Sequence, residues 1–455
     1  MVIEQTDKVG ATTAYSGGTV WIPQNSISKA AGFRDSRDAA RQYLQDSLAQ
    51  SEVSGLESSP ARIEAFLNDG PQMVDFFQRL GLRWRPSPIP DYHPEVAGAM
   101  NSVGRTLDPC PFDAGTLGCW ADRLRRSEHS APAAYFHDFF ALTKPYASAT
   151  DLLTVCWMRL RAFFRIRTMA RRTYMGSSLV AQLLGICLRS GGAAAGMKLD
   201  TKLKDLMVEG GAVRGADVES EGDTGDVLEA ACRVGAATSL MGEACQGCRI
   251  FSEADPYGDV GPMLYQHCGG ANAAVWLILD WNHRQRYTLG SLGPRAEPVD
   301  ALANGHIFEA ADLTSLAIQI GIEAAGLLHT VERWDQMCED GVDRGFGKGK
   351  SKYHLFVGDR SAKWPNMGPL DKAPYYALQV TPGDAGTRGG LLTDEHGRVV
   401  DESGDAIAGL YAVGNSTASV MGSTSLGAEV TLGPAMTFAR LAVLHMFERR
   451  KGNGL

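Results

Sequence analysis

Apolar positions near the C-terminal end of the chain predict a strand, a loop and a helix in succession. Leu410–Val413 is a short apolar run that stops at a Gly-Asn pair, and a loop of small residues leads to a second apolar stretch that begins near Leu432. Glycines at such a switch allow close backbone approach to a ligand, and a helix N-terminus offers unpaired N–H groups. The pattern indicates either an ordinary packing motif or a binding loop for an electron-rich group.

The same periodicities define elements elsewhere in the chain. Residues 36–80 are typical of two helices, the first capped by Ser36 and the second beginning at Pro71, before the run Met73–Leu80. Further elements are a buried helix at Leu179–Leu188, a hairpin over 197–218 that turns at Gly210, a strand at Ala274–Asp280 and a helix at Ala311–Leu328. This mixture of helices and strands predicts an α/β (α+β) fold.

Composition narrows the class of protein. A chain of 455 residues with 44% apolar and 21% charged residues is long enough for two globular domains. The net charge of −8 and the lack of basic blocks make nucleic acid and anionic membranes unexpected partners. No apolar run reaches the length of a membrane span, and the first residues do not have the pattern of a signal peptide.

The cysteines and histidines indicate the cellular compartment and whether the chain binds a metal. The nine cysteines are scattered and odd in number, which predicts reduced thiols and a cytoplasmic location. Cys245 and Cys248 form a lone CxxC motif without a second ligand pair, and the histidines are not grouped. We therefore predict no metal site.

The N-terminal end carries a second motif, which is typical of a ligand-binding site. Val2 and Ile3 are followed by Glu4 and then by a loop rich in Gly, Thr and Ser over 10–18. In dinucleotide-binding units an acidic residue at the end of the second strand takes the ribose diol. With the C-terminal loop, this motif resembles the FAD-dependent fumarate reductase/3-ketosteroid dehydrogenase superfamily. The motifs Tyr-Ser-Gly-Gly at 15–18 and Gly-Asn-Ser-Thr-Ala-Ser at 414–419 resemble its 3-ketosteroid Δ1-dehydrogenase branch.

The resemblance implies a domain organisation and a cofactor site. Residues 1–246 and 388–455 would form a Rossmann-like FAD-binding domain, and residues 247–387 an inserted substrate-capping domain. FAD would be bound by Glu4 at its ribose, by Thr12, Thr13, Ser16, Gly17 and Gly18 in the first loop, and by Gly414, Asn415 and Leu432 at the C-terminal loop and helix.

The resemblance also implies catalytic positions. Tyr257 matches the base that removes the C2 proton of a 3-ketosteroid, and Tyr92 matches a supporting tyrosine. Ser425 and Glu429 stand where the family has a tyrosine and a glycine that hold the carbonyl oxygen. Loss of one oxyanion donor typically costs about 2.7–4 kcal/mol, and a carboxylate at this place would repel a developing enolate. We therefore expect altered or weakened Δ1-dehydrogenase activity.

The chain also departs from the family's pattern in three places. No Gly-x-Gly-x-x-Gly turn precedes Glu4, and family segments are missing after Gly222 and after Gly247. Three hypotheses follow: an FAD-dependent dehydrogenase of a steroid or steroid-like triterpenoid ketone, which passes electrons to an acceptor; an inactive or truncated family member; or a fumarate-reductase-type C=C reductase.

Overall fold

The computed structural model describes residues 2–50, 55–125, 134–168, 171–190, 196–210, 212–219, 249–267, 275–290, 292–380 and 388–452. Among these, the chain forms two units. The first contains the described parts of 1–136, 160–240 and 385–455, and the second those of 137–159 and 241–384. Residues 137–159 thus belong to the second unit, whereas the sequence analysis assigned them to the FAD-binding part. The CxxC motif and both predicted gaps lie outside the described residues.

The described helices and strands follow each other in mixed order. The helices are α1 Ser26–Ala30, α2 Arg37–Ala49, α3 Pro60–Arg79, α4 Asp138–Thr143, α5 Ala149–Thr168, α6 Met175–Arg189, α7 Tyr257–His267, α8 Trp281–Arg286, α9 Val299–Ala303, α10 Leu313–Ile320, α11 Ala324–Asp340, α12 Lys352–Val357 and α13 Leu432–Gly452. The strands are β1 Val2–Ile3, β2 Val20–Trp21, β3 Trp84–Pro86, β4 Thr106–Pro109, β5 Phe112–Asp113, β6 Arg172–Thr173, β7 Met197–Lys198, β8 Lys202–Glu209, β9 Ala212–Glu219, β10 Val275–Leu279, β11 Ile307–Ala310, β12 Tyr375–Val380, β13 Arg398–Val400 and β14 Ala406–Tyr411. None of these helices is long and apolar enough to cross a membrane.

Helices α2 and α3 test the predictions for residues 36–80. The Ser36 hydroxyl accepts a hydrogen bond from the Ala39 N–H at 3.1 Å, so the predicted cap is confirmed. The predicted start of the second helix at Pro71 is wrong. Helix α3 begins at Pro60, and Pro71 lies in its interior. Buried side chains on both sides of the proline, among them Phe66, Leu67, Met73 and Val74, pack into the core and hold the helix through it.

Short sheets build the first unit. Strand β1 pairs in parallel with β7, and β2, β4 and β3 form an antiparallel sheet in that order. The predicted hairpin is confirmed as β8 and β9, which continue through β14 to β13 in a four-stranded sheet. Strand β14 ends at Tyr411 and is half-buried. It pairs with β13 on one side and with β9 around Ala408 and Ala212 on the other.

The core of the first unit joins the two ends of the sequence. Helix α13 packs against α3 and β2. The core they share includes Val20, Trp21, Ile22, Tyr43, Phe66, Leu107, Leu426 and Phe438. The loops before α13 and before β2 therefore rest on one packed interior, which fixes their positions relative to each other.

The second unit is a three-stranded sheet with helices. Strands β10, β12 and β11 are antiparallel in that order, and α10 and α11 pack beside them. The prediction of one helix over Ala311–Leu328 is wrong. The chain breaks at Gly321, whose φ of 71° ends α10, and α11 begins at Ala324. The apolar periodicity continues across this break, which is why the sequence pattern concealed it.

Candidate functional site

The Thr/Ser/Gly loop is tied to the start of α6. The Ser16 hydroxyl donates to the Thr13 carbonyl and accepts from the Gly18 N–H, each at 3.0 Å. The Gly176 N–H donates to the Ser16 carbonyl at 3.0 Å. Thr12 is exposed on the 3₁₀ turn that opens the loop. These hydrogen bonds hold the first loop in place, and Thr12 faces solvent.

Close packing requires the two glycines of this loop. A Cβ at Gly17 would lie 2.6 Å from Cδ2 of Phe136. Gly18 has a φ of 69°, and a Cβ there would lie 2.5 Å from the Gly176 nitrogen. The glycines therefore have a packing role in addition to the predicted cofactor role.

We expect Gly17→Ala to lower the free energy of unfolding by about 1–3 kcal/mol, because the methyl group overpacks against Phe136. Gly368→Ala is the matched control, since a Cβ at Gly368 would meet nothing within 4 Å. Urea denaturation of both variants measures the difference. Equal stability of the two would contradict the packing account.

Glu4 lies directly after β1, as predicted. Its Oε1 accepts hydrogen bonds from the N–H and the hydroxyl of Thr6, both at 3.0 Å. Its N–H donates to the Lys198 carbonyl at 2.8 Å. Among the described residues its other carboxylate oxygen has no partner. That oxygen is the one left for the predicted ribose contact.

A pocket lies between the C-terminal loop that follows β14 and the start of α13. Gly414 begins a 3₁₀ turn with a φ of 70°, Asn415 is exposed on that turn, and Leu432 begins the 21-residue helix α13. The pocket is lined by residues that include Arg62, Arg388, Gly414, Asn415, Thr431 and Pro434. The predicted C-terminal cofactor loop therefore borders a cavity.

Arg62 supplies a buried cation to this pocket, and sequence analysis did not identify it. Its side chain is 2% exposed, and its Nη1 donates to the carbonyls of Glu57 and Ala418 at 2.6 and 3.1 Å. Burial lowers the pKa of Arg62 to about 10. Its Nε is buried and has no hydrogen-bond partner among the described residues. The pocket thus offers the Arg62 Nε donor, the positive charges of Arg62 and Arg388, and the N-terminus of α13. These groups fit an electron-rich part of FAD.

Tyr92 lies beside the segment that contains Ser425 and Glu429. The Leu426 carbonyl accepts hydrogen bonds from the Tyr92 N–H at 3.0 Å and from the Tyr43 hydroxyl at 2.8 Å. Tyr92 and Ser425 are both buried. The structure therefore brings together three of the four predicted catalytic positions.

A buried polar network holds the loop that presents Tyr92. Asp91 accepts from Trp21 Nε1 at 2.8 Å and from Arg105 Nη1 at 2.7 Å. Arg105 also donates to Asp35 at 2.8 Å. Burial opposes the charge of Arg105, but Asp91 and Asp35 raise its pKa above the ordinary value. These partners come from four distant stretches of sequence, so no local signal revealed the network.

Glu429 connects this segment to the first loop. Its Oε1 accepts a hydrogen bond from the Gly17 N–H at 3.0 Å. Its backbone has a φ of 54°, which is rare for a residue with a side chain. Burial raises the pKa of the carboxyl group. A residue predicted for the carbonyl clamp thus also contacts a residue predicted for the flavin.

Tyr257 belongs to the second unit. It is the first residue of α7 and is 57% exposed. The preceding loop is anchored to α12, since Asp255 Oδ1 and His354 Nε2 are 2.8 Å apart. Burial raises the pKa of Tyr353, and its interaction with Tyr257 raises it further. No motif in the sequence marks Tyr353 or His354.

Asp280, Arg286 and Tyr287 form a motif that spans α8. Asp280 caps α8 by accepting the His283 N–H at 2.9 Å. Arg286 and the Tyr287 hydroxyl both donate to Oδ2 of Asp359. The contacts of this motif are those of a capped helix and an ion pair.

Comparison with known proteins defines the class. The FAD binding domain family matches residues 1–245 and 235–432, and the chain belongs to this family, whose cofactor is FAD. The 3-oxosteroid 1-dehydrogenase of Mycobacterium tuberculosis is 31% identical over 99% of this chain and 94% of its own length. That alignment has 541 positions, more than the 455 residues of this chain, so the relative contains residues that this chain lacks.

A solved structure and a second relative by sequence are also similar to this chain. The structure of 3-ketosteroid Δ1-dehydrogenase from Sterolibacterium denitrificans in complex with 1,4-androstadiene-3,17-dione superposes with a TM-score of 0.87 at 30% identity, over 98% of this chain and 94% of that chain. The 4-oxocyclohexanecarboxylate 2-dehydrogenase of Sinomonas cyclohexanicum is 30% identical over 97% of this chain and 87% of its own length. The resemblance to 3-ketosteroid Δ1-dehydrogenase is thereby confirmed.

Proposed function

We propose that this protein is an FAD-dependent dehydrogenase that introduces a C1=C2 double bond into the A ring of a steroid or steroid-like triterpenoid ketone. The observation that carries the proposal is the similarity to 3-ketosteroid Δ1-dehydrogenase in sequence and fold along nearly the whole of both chains. A fold alone does not define a substrate. The placement of Tyr92 beside Ser425 and Glu429 adds support from the site itself.

Each residue has a defined task in this reaction. The C3 ketone makes the C2 proton acidic, and Tyr257 takes that proton as the base. The chemistry that FAD would supply is acceptance of the C1 hydride. Ser425 and Glu429 contact the ketone oxygen, on which negative charge develops, and Tyr92 supports the base.

The proposed cofactor contacts use both ends of the chain. Glu4 would hold the ribose through its second carboxylate oxygen, and the loop with Thr12, Thr13, Ser16, Gly17 and Gly18 would contact the flavin. Gly414, Asn415 and Leu432 would contact it from the C-terminal side. Arg62 adds a buried positive charge to this end of the site.

The reaction also requires an electron acceptor, since removal of two hydrogens from the ketone releases two electrons in each turnover. We infer a partner or small molecule that oxidises the reduced cofactor. The described cysteines, Cys110, Cys119, Cys156, Cys187 and Cys338, carry free thiols, which supports a reducing compartment such as the cytoplasm.

Substrate class is tested by comparing two ketones under identical conditions. The FAD-loaded chain is incubated with an artificial acceptor and either 4-androstene-3,17-dione or 4-oxocyclohexanecarboxylate, and products are identified by mass spectrometry. We expect loss of two hydrogens from the steroid and no comparable conversion of the cyclohexane acid. Preferential conversion of the acid, or no conversion of either ketone by chain that holds FAD, would contradict the proposal.

A further inference from the structure

Glu429 occupies the junction between two parts of the site. Its carboxyl group is hydrogen-bonded to the Gly17 N–H in the first loop, at 3.0 Å from Oε1. Three residues earlier, the Leu426 carbonyl accepts the Tyr92 N–H. Among the described residues Oε2 has no hydrogen-bond partner. One carboxyl oxygen is therefore anchored to the first loop, and the other is not.

The electrostatic surroundings of Glu429 favour its neutral form. The first loop faces it with the Gly17 N–H, a neutral donor. On the neighbouring loop, the charge of Asp91 is paired with Arg105. Burial is the dominant influence on the Glu429 pKa and raises it, opposed only by the Gly17 hydrogen bond. No charged side chain among the described residues contributes to this shift.

A neutral Glu429 carboxyl group could donate a hydrogen bond. An ionised carboxylate only accepts hydrogen bonds, whereas a protonated one carries a donor. With Oε1 accepting from Gly17, a proton on this carboxyl group would lie on Oε2, the oxygen that has no partner among the described residues. A carboxylic acid kept neutral by its surroundings can donate to the oxygen of a ketone as it becomes an enolate.

We propose that Glu429 is a neutral hydrogen-bond donor to the ketone oxygen of the substrate, held in position by the Gly17 N–H. The inference rests on the proposed function and reverses the expectation from sequence that this side chain repels an enolate. No proton leaves Glu429 in the reaction. The substrate's C2 proton goes to Tyr257, and Glu429 keeps its own while strengthening its hydrogen bond.

The first test needs no substrate and uses Glu429→Gln. Glutamine keeps an oxygen for the Gly17 N–H and cannot ionise. The folded chain holds the Glu429 proton to higher pH than the unfolded chain does, so wild-type stability falls as pH rises from the ordinary glutamate range through the raised pKa. We expect the melting temperature of the Gln variant, relative to wild type, to rise across that window. A difference that stays constant with pH would overturn the proposal.

The second test measures ligand affinity without turnover. The probe is 1,4-androstadiene-3,17-dione, and its dissociation constant is read from the perturbed flavin spectrum of the FAD-loaded full chain. Wild type should lose affinity as pH rises through the Glu429 pKa, whereas Glu429→Gln should be independent of pH. Glu429→Met, which is unbranched and equally strained at this φ but lacks a donor, should bind about 3- to 10-fold more weakly.

The outcomes separate two kinds of failure. If the steroid binds the wild type, Gln and Met variants equally at every pH, the proposed function stands and the role of Glu429 is wrong. If the steroid binds none of them at any pH, the proposed function fails and the role of Glu429 falls with it.

Discussion

Replacing Tyr257 by phenylalanine is expected to lower kcat for ketosteroid dehydrogenation by about 10²–10⁴-fold, the contribution typical of a positioned acid or base. The ring and its place at the start of α7 remain, and only the phenolic oxygen is lost, which as a phenolate would receive the C2 proton. Because the side chain is more than half exposed, little loss of stability should accompany the change. Steady-state kinetics with an artificial acceptor measures the effect.

The matched control for this variant is Tyr146→Phe. Tyr146 is also in the second unit and is 51% exposed, with the Arg295 guanidinium 5.2 Å from its ring centre. We expect its kcat to remain close to that of wild type. Both variants should hold as much FAD as wild type, as judged from the visible spectrum. A Tyr257→Phe enzyme with near wild-type kcat would remove Tyr257 from the role of base.

Arg105→Met is expected to destabilise the first unit by about 3–5 kcal/mol, the typical cost of removing one partner from a buried ion pair. Arg105 is 1% exposed and joins Asp91 to Asp35. Methionine fills part of the volume but leaves both carboxylates without their cation. Denaturation by urea gives the change in the free energy of unfolding.

The pH dependence of this loss identifies its cause. Without Arg105, the buried Asp91 is easier to protonate in the folded chain than in the unfolded one, so the deficit should shrink as pH falls. Arg37→Met is the control in the same unit. Its partner Glu64 is partly exposed and also bonded by Arg41 at 2.6 Å, so we expect a loss of at most about 1 kcal/mol. Equal losses in both variants would refute a special role for the buried network.

Local patterns predicted the elements that local chemistry determines. The Ser36 cap, the hairpin of β8 and β9 and the start of α13 depend on neighbouring residues, and the structure confirms them. Predictions failed where tertiary packing prevailed. Core contacts carry α3 through Pro71, and the break at Gly321 is hidden within a continuous apolar pattern.

The candidate site was predictable only in part. Motif resemblance predicted cofactor residues in both loops, and these stay predictions. The structure brings Tyr92, Ser425 and Glu429 together through Leu426 and Gly17. Arg62 and the network of Asp91 and Arg105 were missed, because their contacts link residues far apart in the chain. The raised pKa of Glu429 was also not predictable, because it results from burial in the folded chain.

Anaerobic titration of the FAD-loaded chain with 4-androstene-3,17-dione tests the central claim most directly. The account predicts that the flavin absorption band bleaches as steroid is added, and that 1,4-androstadiene-3,17-dione forms in an amount equal to the flavin reduced. Failure of the chain to hold FAD, or bound flavin that stays oxidised in the presence of the steroid, would contradict the account.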